Sequence, residues 1–199
     1  MATTTLRIGP ADQGRAMTLD EFLDAEEEPG YLYELARGVL EVTEVPNDPH
    51  AQIEWNILRA LSLYDQVHPG VIHRCGASGS TRLWIPGMIS GRNPDVSVVL
   101  KGAPKDLRSR RVPALAVEIV SEGSEVRDYE TKRQEYLVYG LFEYWVVDPG
   151  ARKVTVLIRD GGAWVERVAQ GDQAIPSLVL PGFAAQVDQL WADVEADPS

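Results

Sequence analysis

The sequence predicts a mixed β-sheet flanked by helices, in the α+β to α/β class. Three observations carry this expectation. Short stretches that alternate apolar and polar residues recur along the chain. One longer stretch repeats apolar residues at helical spacing, and a second is bracketed by a helix cap at Ser124 and a stop at Gly140. Between them, residues 114–120 (ALAVEIV) are apolar on both faces except for Glu118, as in a central strand covered on both sides.

Taken in order, the first 16 or so residues show no apolar period and are expected to form a mobile tail, followed by a single domain over residues 17–195. Thr18 and Glu21 fit a capping box that opens a short helix, which Pro29-Gly30 stops. Residues 31–35 and 39–43 alternate as strands, with Arg37-Gly38 as the hairpin turn, and give the fold additional N-terminal strands. Asp48-Pro49 suits a helix start. Ile53, Ile57, Leu58, Leu61 and Tyr64 then follow on one face, and Gly70 ends the element.

Extended pieces are expected at 71–75, 81–85 and 95–100, with a loop at 86–94. Ser124 is placed to cap a helix over 125–139 that Gly140 closes. Residues 143–147 read as a strand. Residues 154–158 and 163–168 form a C-terminal β-hairpin around Asp160-Gly-Gly162. The chain is expected to be extended from Leu178 and to end in a short helix at 187–194.

Composition narrows the function. The 199 residues suit one domain with a sizeable core. Hydrophobic and charged residues, at 44% and 25%, are in ordinary globular proportion. No apolar run is long enough to span a membrane. The start has no basic-then-apolar pattern, and the single Cys75 cannot pair within the chain, so a cytoplasmic location is expected. The net charge of −11 weighs against non-specific nucleic-acid binding, which draws on basic side chains. Bound cations would cancel part of that charge. One basic stretch, residues 101–111, is the local candidate for a phosphate contact, although such runs are also commonly solvated loops. Phosphate-cradling, dinucleotide and nucleophile-elbow motifs are all missing from the sequence. Three histidines and one cysteine make a structural zinc site a poor fit.

Two carboxylates are out of place. Glu118 sits inside an apolar strand, where a charge needs a cation or hydrogen bonds to satisfy it. Asp95 stands at the mouth of another apolar strand, held extended by Pro94. Each alone could be an ordinary ion pair or turn cap. Together they could offer two carboxylates at one sheet edge, the kind of donor set that magnesium takes. Downstream, Tyr129, Lys132, Arg133 and Tyr136 are spaced to share one helix face, and Lys132 could reach the carboxylates.

Three runs then form a recognisable pattern: residues 116–121 (AVEIVS), 128–136 (DYETKRQEY) and 140–149 (GLFEYWVVDP). With Tyr33-Glu34-Leu35, Pro49-His50, Asn93-Pro94-Asp95 and residues 180–183 in matching order, the chain resembles the Uma-type restriction endonuclease family of the PD-(D/E)XK nuclease superfamily. The resemblance spans roughly residues 18–193. It implies a restriction-endonuclease-like fold and a metal-dependent endonuclease using Mg2+ or Mn2+ on nucleic acid, with DNA favoured. Asp95 and Glu118 correspond to the family's metal-binding acids. The superfamily's lysine, two residues after the Glu, is replaced here by Val120, and Lys132 takes that role from the helix. Glu34 is expected as a further acid, and Tyr136 and His50 as accessories. A homodimer suits the cutting of two strands. A catalytically silent nuclease-fold module for binding or assembly is the alternative. A sugar hydrolase using Asp95 and Glu118 would leave Lys132 without a role.

Overall fold

The computed structural model describes residues 5–45, 48–106 and 110–194. Part of the basic stretch, residues 107–109, therefore lies outside the described residues. The chain divides into two compact units, residues 1–46 with 82–93, and residues 47–81 with 94–199.

The smaller unit holds β1 (Arg7–Ile8), α1 (Leu19–Asp24), β2 (Glu26–Glu27), β3 (Tyr31–Ala36), β4 (Val39–Glu44), β6 (Leu83–Ile85) and β7 (Ser90–Arg92). Four of these strands form one sheet in the order β4-β3-β7-β6, while β1 pairs in parallel with β2. The capping box forms as expected: the Thr18 side chain accepts from the Glu21 N–H, and the Glu21 carboxylate accepts from the Thr18 N–H. Two expectations differ. Residues 7–8, expected within a tail, form a strand because Ile8 has an apolar site to fill, and it is fully buried among Met17, Phe22, Tyr33, Leu35 and Leu40. Residues 86–94, expected as a loop, contain β7. That strand is polar in sequence (Ser-Gly-Arg) yet buried throughout.

The larger unit is built on a six-stranded sheet in the order β12-β11-β10-β9-β8-β5. Its strands are β5 (Ile72–Ala77), β8 (Val96–Leu100), β9 (Leu115–Ile119), β10 (Glu143–Asp148), β11 (Lys153–Asp160) and β12 (Ala163–Gln170). β9 and β10 run parallel, and every other pair is antiparallel, so the sheet is mixed as the sequence predicts. β9 lies inside the sheet, which explains its near-continuous apolar run. The helix α2 (Asp48–Val67) lays Ile53, Ile57, Leu61 and Tyr64 into the core with Val96, Val98, Leu115, Val117, Trp145 and Val147. Each such side chain contributes about 1.5–3 kcal/mol on burial.

The helix expected over 125–139 is interrupted. Residues Arg127–Thr131 make a π-helical turn, in which the Lys132 N–H bonds to the Arg127 carbonyl, before α3 (Lys132–Tyr139) continues. Gly140, at φ 94°, closes α3 in the left-handed conformation that glycine adopts without strain. The short helix expected at 187–194 is a 3-10 turn, Val187–Trp191. The segment from Leu178, expected to be extended, is instead a series of bends and turns. Its backbone hangs on Glu143, whose carboxylate accepts from the Leu178 N–H at 2.7 Å and the Val179 N–H at 3.2 Å.

Candidate active site

The two acids meet across neighbouring strands. Val96 of β8 pairs with Val117 of β9 in antiparallel register, so Asp95, one residue earlier, stands opposite Glu118. Directly opposed residues in an antiparallel ladder project to the same face of the sheet. Pro94 delivers Asp95 to the start of β8 in extended form. Asp95 is almost buried and Glu118 nearly fully so, at 9% and 2% exposure.

Asp95 is fixed by its surroundings. Its Oδ2 accepts the Ile119 N–H at 2.7 Å, and its Oδ1 accepts the Ser78 hydroxyl at 3.3 Å. His50 Nε2 lies 3.3 Å from the same Oδ1. Burial alone would lower the pKa of His50, but the hydrogen bond to Asp95 and the charges of Asp95, Glu54 and Asp128 outweigh it and raise the value. Glu54, one turn along α2, has its pKa raised by burial and by the Asp95 charge, while His50 and the Ser78 N–H act in the opposite sense.

Glu118 is held from α3. The Lys132 ammonium donates to its Oε2 at 2.8 Å, and the Tyr136 hydroxyl donates to its Oε1 at 2.5 Å. Lys132 and Tyr136 are both buried and lie one helical turn apart. Tyr136 packs edge-on against Tyr144, with ring centroids 4.9 Å apart. Tyr129 and Arg133 go elsewhere. Tyr129 donates to Asp148 Oδ2 at 2.9 Å, and Arg133 pairs with Glu166 at 3.0 Å. The π-turn ahead of Lys132 departs from regular helical spacing, so the four-residue face expected from sequence is divided.

Sequence reasoning missed Asp128. It is 1% exposed, and its Oδ1 lies 3.7 Å from Lys132 Nζ and 3.6 Å from Arg127 Nε. Its Oδ2 accepts the Ser124 hydroxyl at 2.5 Å, and Ser124 Oγ in turn accepts the Ser121 N–H at 2.9 Å. Ser124, expected as a helix cap, thus ties the turn after β9 to Asp128. The available signal was the i,i+4 spacing of Asp128 and Lys132. Glu54 was missed as well, although it follows His50 by four residues.

Glu34, expected as a further acid, belongs to the smaller unit. There its carboxylate accepts from Arg92 at 3.1 Å and from the Asn93 N–H at 2.7 Å. Arg92 is fully buried and also pairs with Glu41 at 2.6 Å.

Among the described residues, no three His, Cys, Asp or Glu side chains converge as a ready-made cation cage. A magnesium-type ion does not require one, because it keeps several waters and takes one or two carboxylates. Asp95 and Glu118 fit such an ion in donor type. Each ionised carboxylate has about four acceptor positions.

Comparison with known proteins bears on the fold and the family. No curated protein matches the chain. Among solved structures, the chain is similar to one described as a "putative nuclease belonging to DUF820" from Anabaena variabilis, with a TM-score of 0.71 and 20% identity over 88% of this chain and 97% of that one. At that identity the likeness shows a shared fold, a restriction-endonuclease-like nuclease fold. The Uma2 family, described as "Putative restriction endonuclease", matches residues 19–188. With the match running over most of its length, the chain belongs to the Uma2 family of restriction endonuclease-like proteins.

Proposed function

We propose that the chain is a divalent-cation-dependent endonuclease that hydrolyses phosphodiester bonds, with DNA as substrate, and that Asp95 and Glu118 hold Mg2+ or Mn2+. The observation that carries this reading is the opposition of Asp95 and Glu118 across β8 and β9, with the Lys132 ammonium on Glu118. A cation bound there would lower the pKa of a water and polarise a phosphoryl oxygen.

The chain's own residues supply the rest. The Ile119 N–H and the Ser78 hydroxyl keep the Asp95 carboxylate in one orientation. Tyr136 does the same for Glu118. Lys132 places a positive charge where it can orient the attacking water or stabilise negative charge developing on the phosphorus oxygens. His50 keeps a proton beside Asp95 more readily than a free histidine would. Glu34 is engaged by Arg92 and Asn93, and the proposal does not depend on it.

The family description supports a nucleic-acid substrate, and a two-fold dimer would present two such sites to two strands. No helix among the described residues is long and apolar enough to cross a membrane. The cytoplasm is the compartment we propose, since a lone cysteine suits a reducing environment.

The test is cleavage of supercoiled, linear and single-stranded DNA with Mn2+, comparing the wild type with Asp95→Ala and Glu118→Ala. The proposal expects cutting that both substitutions abolish. Cutting that survives both would remove the site assignment.

A second reading, a catalytically silent nuclease-fold module for binding or assembly, is favoured by the net charge of −11 and by protein donors on all four oxygens of Asp95 and Glu118. It expects neither ion binding nor cutting.

A further inference from the structure

Lys132 faces two buried carboxylates, and only one of them has it in a hydrogen bond. Its Nζ is 2.8 Å from Glu118 Oε2 and 3.7 Å from Asp128 Oδ1. That Asp128 oxygen is buried and accepts no hydrogen bond among the described residues, although Arg127 Nε also lies 3.6 Å from it. A buried carboxylate oxygen without a hydrogen bond is costly and is rarely left so without a reason. The other Asp128 oxygen is clamped by Ser124, which is itself fixed by the Ser121 N–H, so the free oxygen stays aimed at the lysine. The Asp128 backbone is fixed too, since its carbonyl accepts the Tyr144 hydroxyl at 2.8 Å.

Glu118 has a conflict to resolve if it binds a cation. The ammonium on Oε2 and a divalent ion beside the same carboxylate repel each other. A lysine is a compact charge on a flexible stem, so it can move while its backbone stays in place. Closing 3.7 Å to an ordinary hydrogen bond of about 2.9 Å takes less than about 1 Å of travel.

We propose that Asp128 is a positioning residue: it is the second seat of Lys132, taking the ammonium from Glu118 when Glu118 binds a divalent cation. The inference rests on the metal-binding reading of Glu118 given above. Lys132 then exchanges one buried anion for another and is never left unpaired, while staying beside the reacting centre. The π-turn fits this role. It sits between Ser124 and Lys132 and carries Asp128 at its second position. Such bulges recur at functional sites.

The test uses the full chain and Mn2+ alone, so that binding is read without turnover. Isothermal titration compares the wild type, Glu118→Gln and Asp128→Asn. A crystal structure of the wild type soaked in Mn2+ reads the lysine directly. The expected results are binding by the wild type, loss of binding in Glu118→Gln, and binding weakened about tenfold in Asp128→Asn. A charge-assisted hydrogen bond made only in the loaded state is worth roughly that factor. In the soaked crystal, Lys132 Nζ should lie within about 3.2 Å of Asp128 Oδ1.

Equal Mn2+ affinity in Asp128→Asn and wild type would overturn the proposal, as would a loaded structure with Lys132 still bonded to Glu118. If Asp128→Asn fails to fold, the soaked wild-type crystal decides alone. Should Glu118→Gln bind Mn2+ like the wild type, the metal-binding reading itself fails, a result distinct from the other two.

Discussion

Replacing Lys132 by methionine removes the ammonium hydrogen-bonded to Glu118 and leaves the stem's apolar volume largely filled. The side chains of Lys132 and Glu118 are 4% and 3% exposed. Asp128, 3.7 Å away, is buried as well, so the substitution strips a counter-charge from two buried acids at once. Breaking a buried pair by removing one partner costs about 3–5 kcal/mol, because the remaining charge is uncompensated. At about 2–4 °C per kcal/mol for a chain of this size, Tm should fall by about 6–20 °C in the presence of EDTA. Thermal melts followed by circular dichroism, together with urea titrations, measure this.

Two controls sharpen the Lys132→Met prediction. Combining Lys132→Met with Glu118→Gln should cost clearly less than the two single losses together, since the neutral amide no longer needs the ammonium. Saturating Mn2+ should raise the Tm of Lys132→Met by more than that of the wild type, because the cation then supplies the missing counter-charge. A Lys132→Met protein within about 1 kcal/mol of the wild type without metal would refute the premise that Glu118 depends on Lys132 for its burial.

Tyr136→Phe removes one hydrogen bond to the Glu118 carboxylate and keeps the ring against Tyr144; urea unfolding should show a loss of about 1.5–3 kcal/mol, the range for hydrogen bonds to charged groups. In the smaller unit, Gly91→Ala would set a Cβ 2.7 Å from the Trp84 ring and 2.9 Å from Phe22; overpacking of this kind costs about 1–3 kcal/mol, and native-state hydrogen exchange should show faster opening of β6 and β7 than of β9 and β10. His50 has a raised folded-state pKa, so its contribution to stability is complete below the unfolded value near 6.5 and fades as pH rises through the folded value. In EDTA, the stability difference between wild type and His50→Gln should therefore be largest near pH 5.5 and shrink toward pH 9; a difference that grows with pH would contradict the pairing with Asp95.

Glu118 and Asp95 were legible in the sequence because burial makes a carboxylate conspicuous: an acid in a six-residue apolar setting has to be explained by a partner. The strand order that sets them opposite each other was not, since nothing local specifies that β8 pairs with β9 and not with another apolar run. β7 escaped for the opposite reason. Ser90, Gly91 and Arg92 carry no strand propensity, and they are buried because Arg92 brings Glu34 and Glu41 with it. The helix after Glu118 shows where periodicity reaches its limit. A regular 3.6-residue repeat puts Tyr129 on the face of Lys132 and Tyr136, and the structure sends it to Asp148. The insertion of a π-turn is invisible to any fixed period, yet its cause can be named. Ser124, Asp128 and Tyr144 hold the first turn to the strands, while Lys132 and Tyr136 hold the next turn to Glu118. A helix pinned to both sets of partners has to accommodate the difference somewhere, and it does so in the turn between Asp128 and Lys132. The contacts of Lys132 with Glu118 and of Asp128 with Ser124 and Tyr144 thus act on one helix at successive turns.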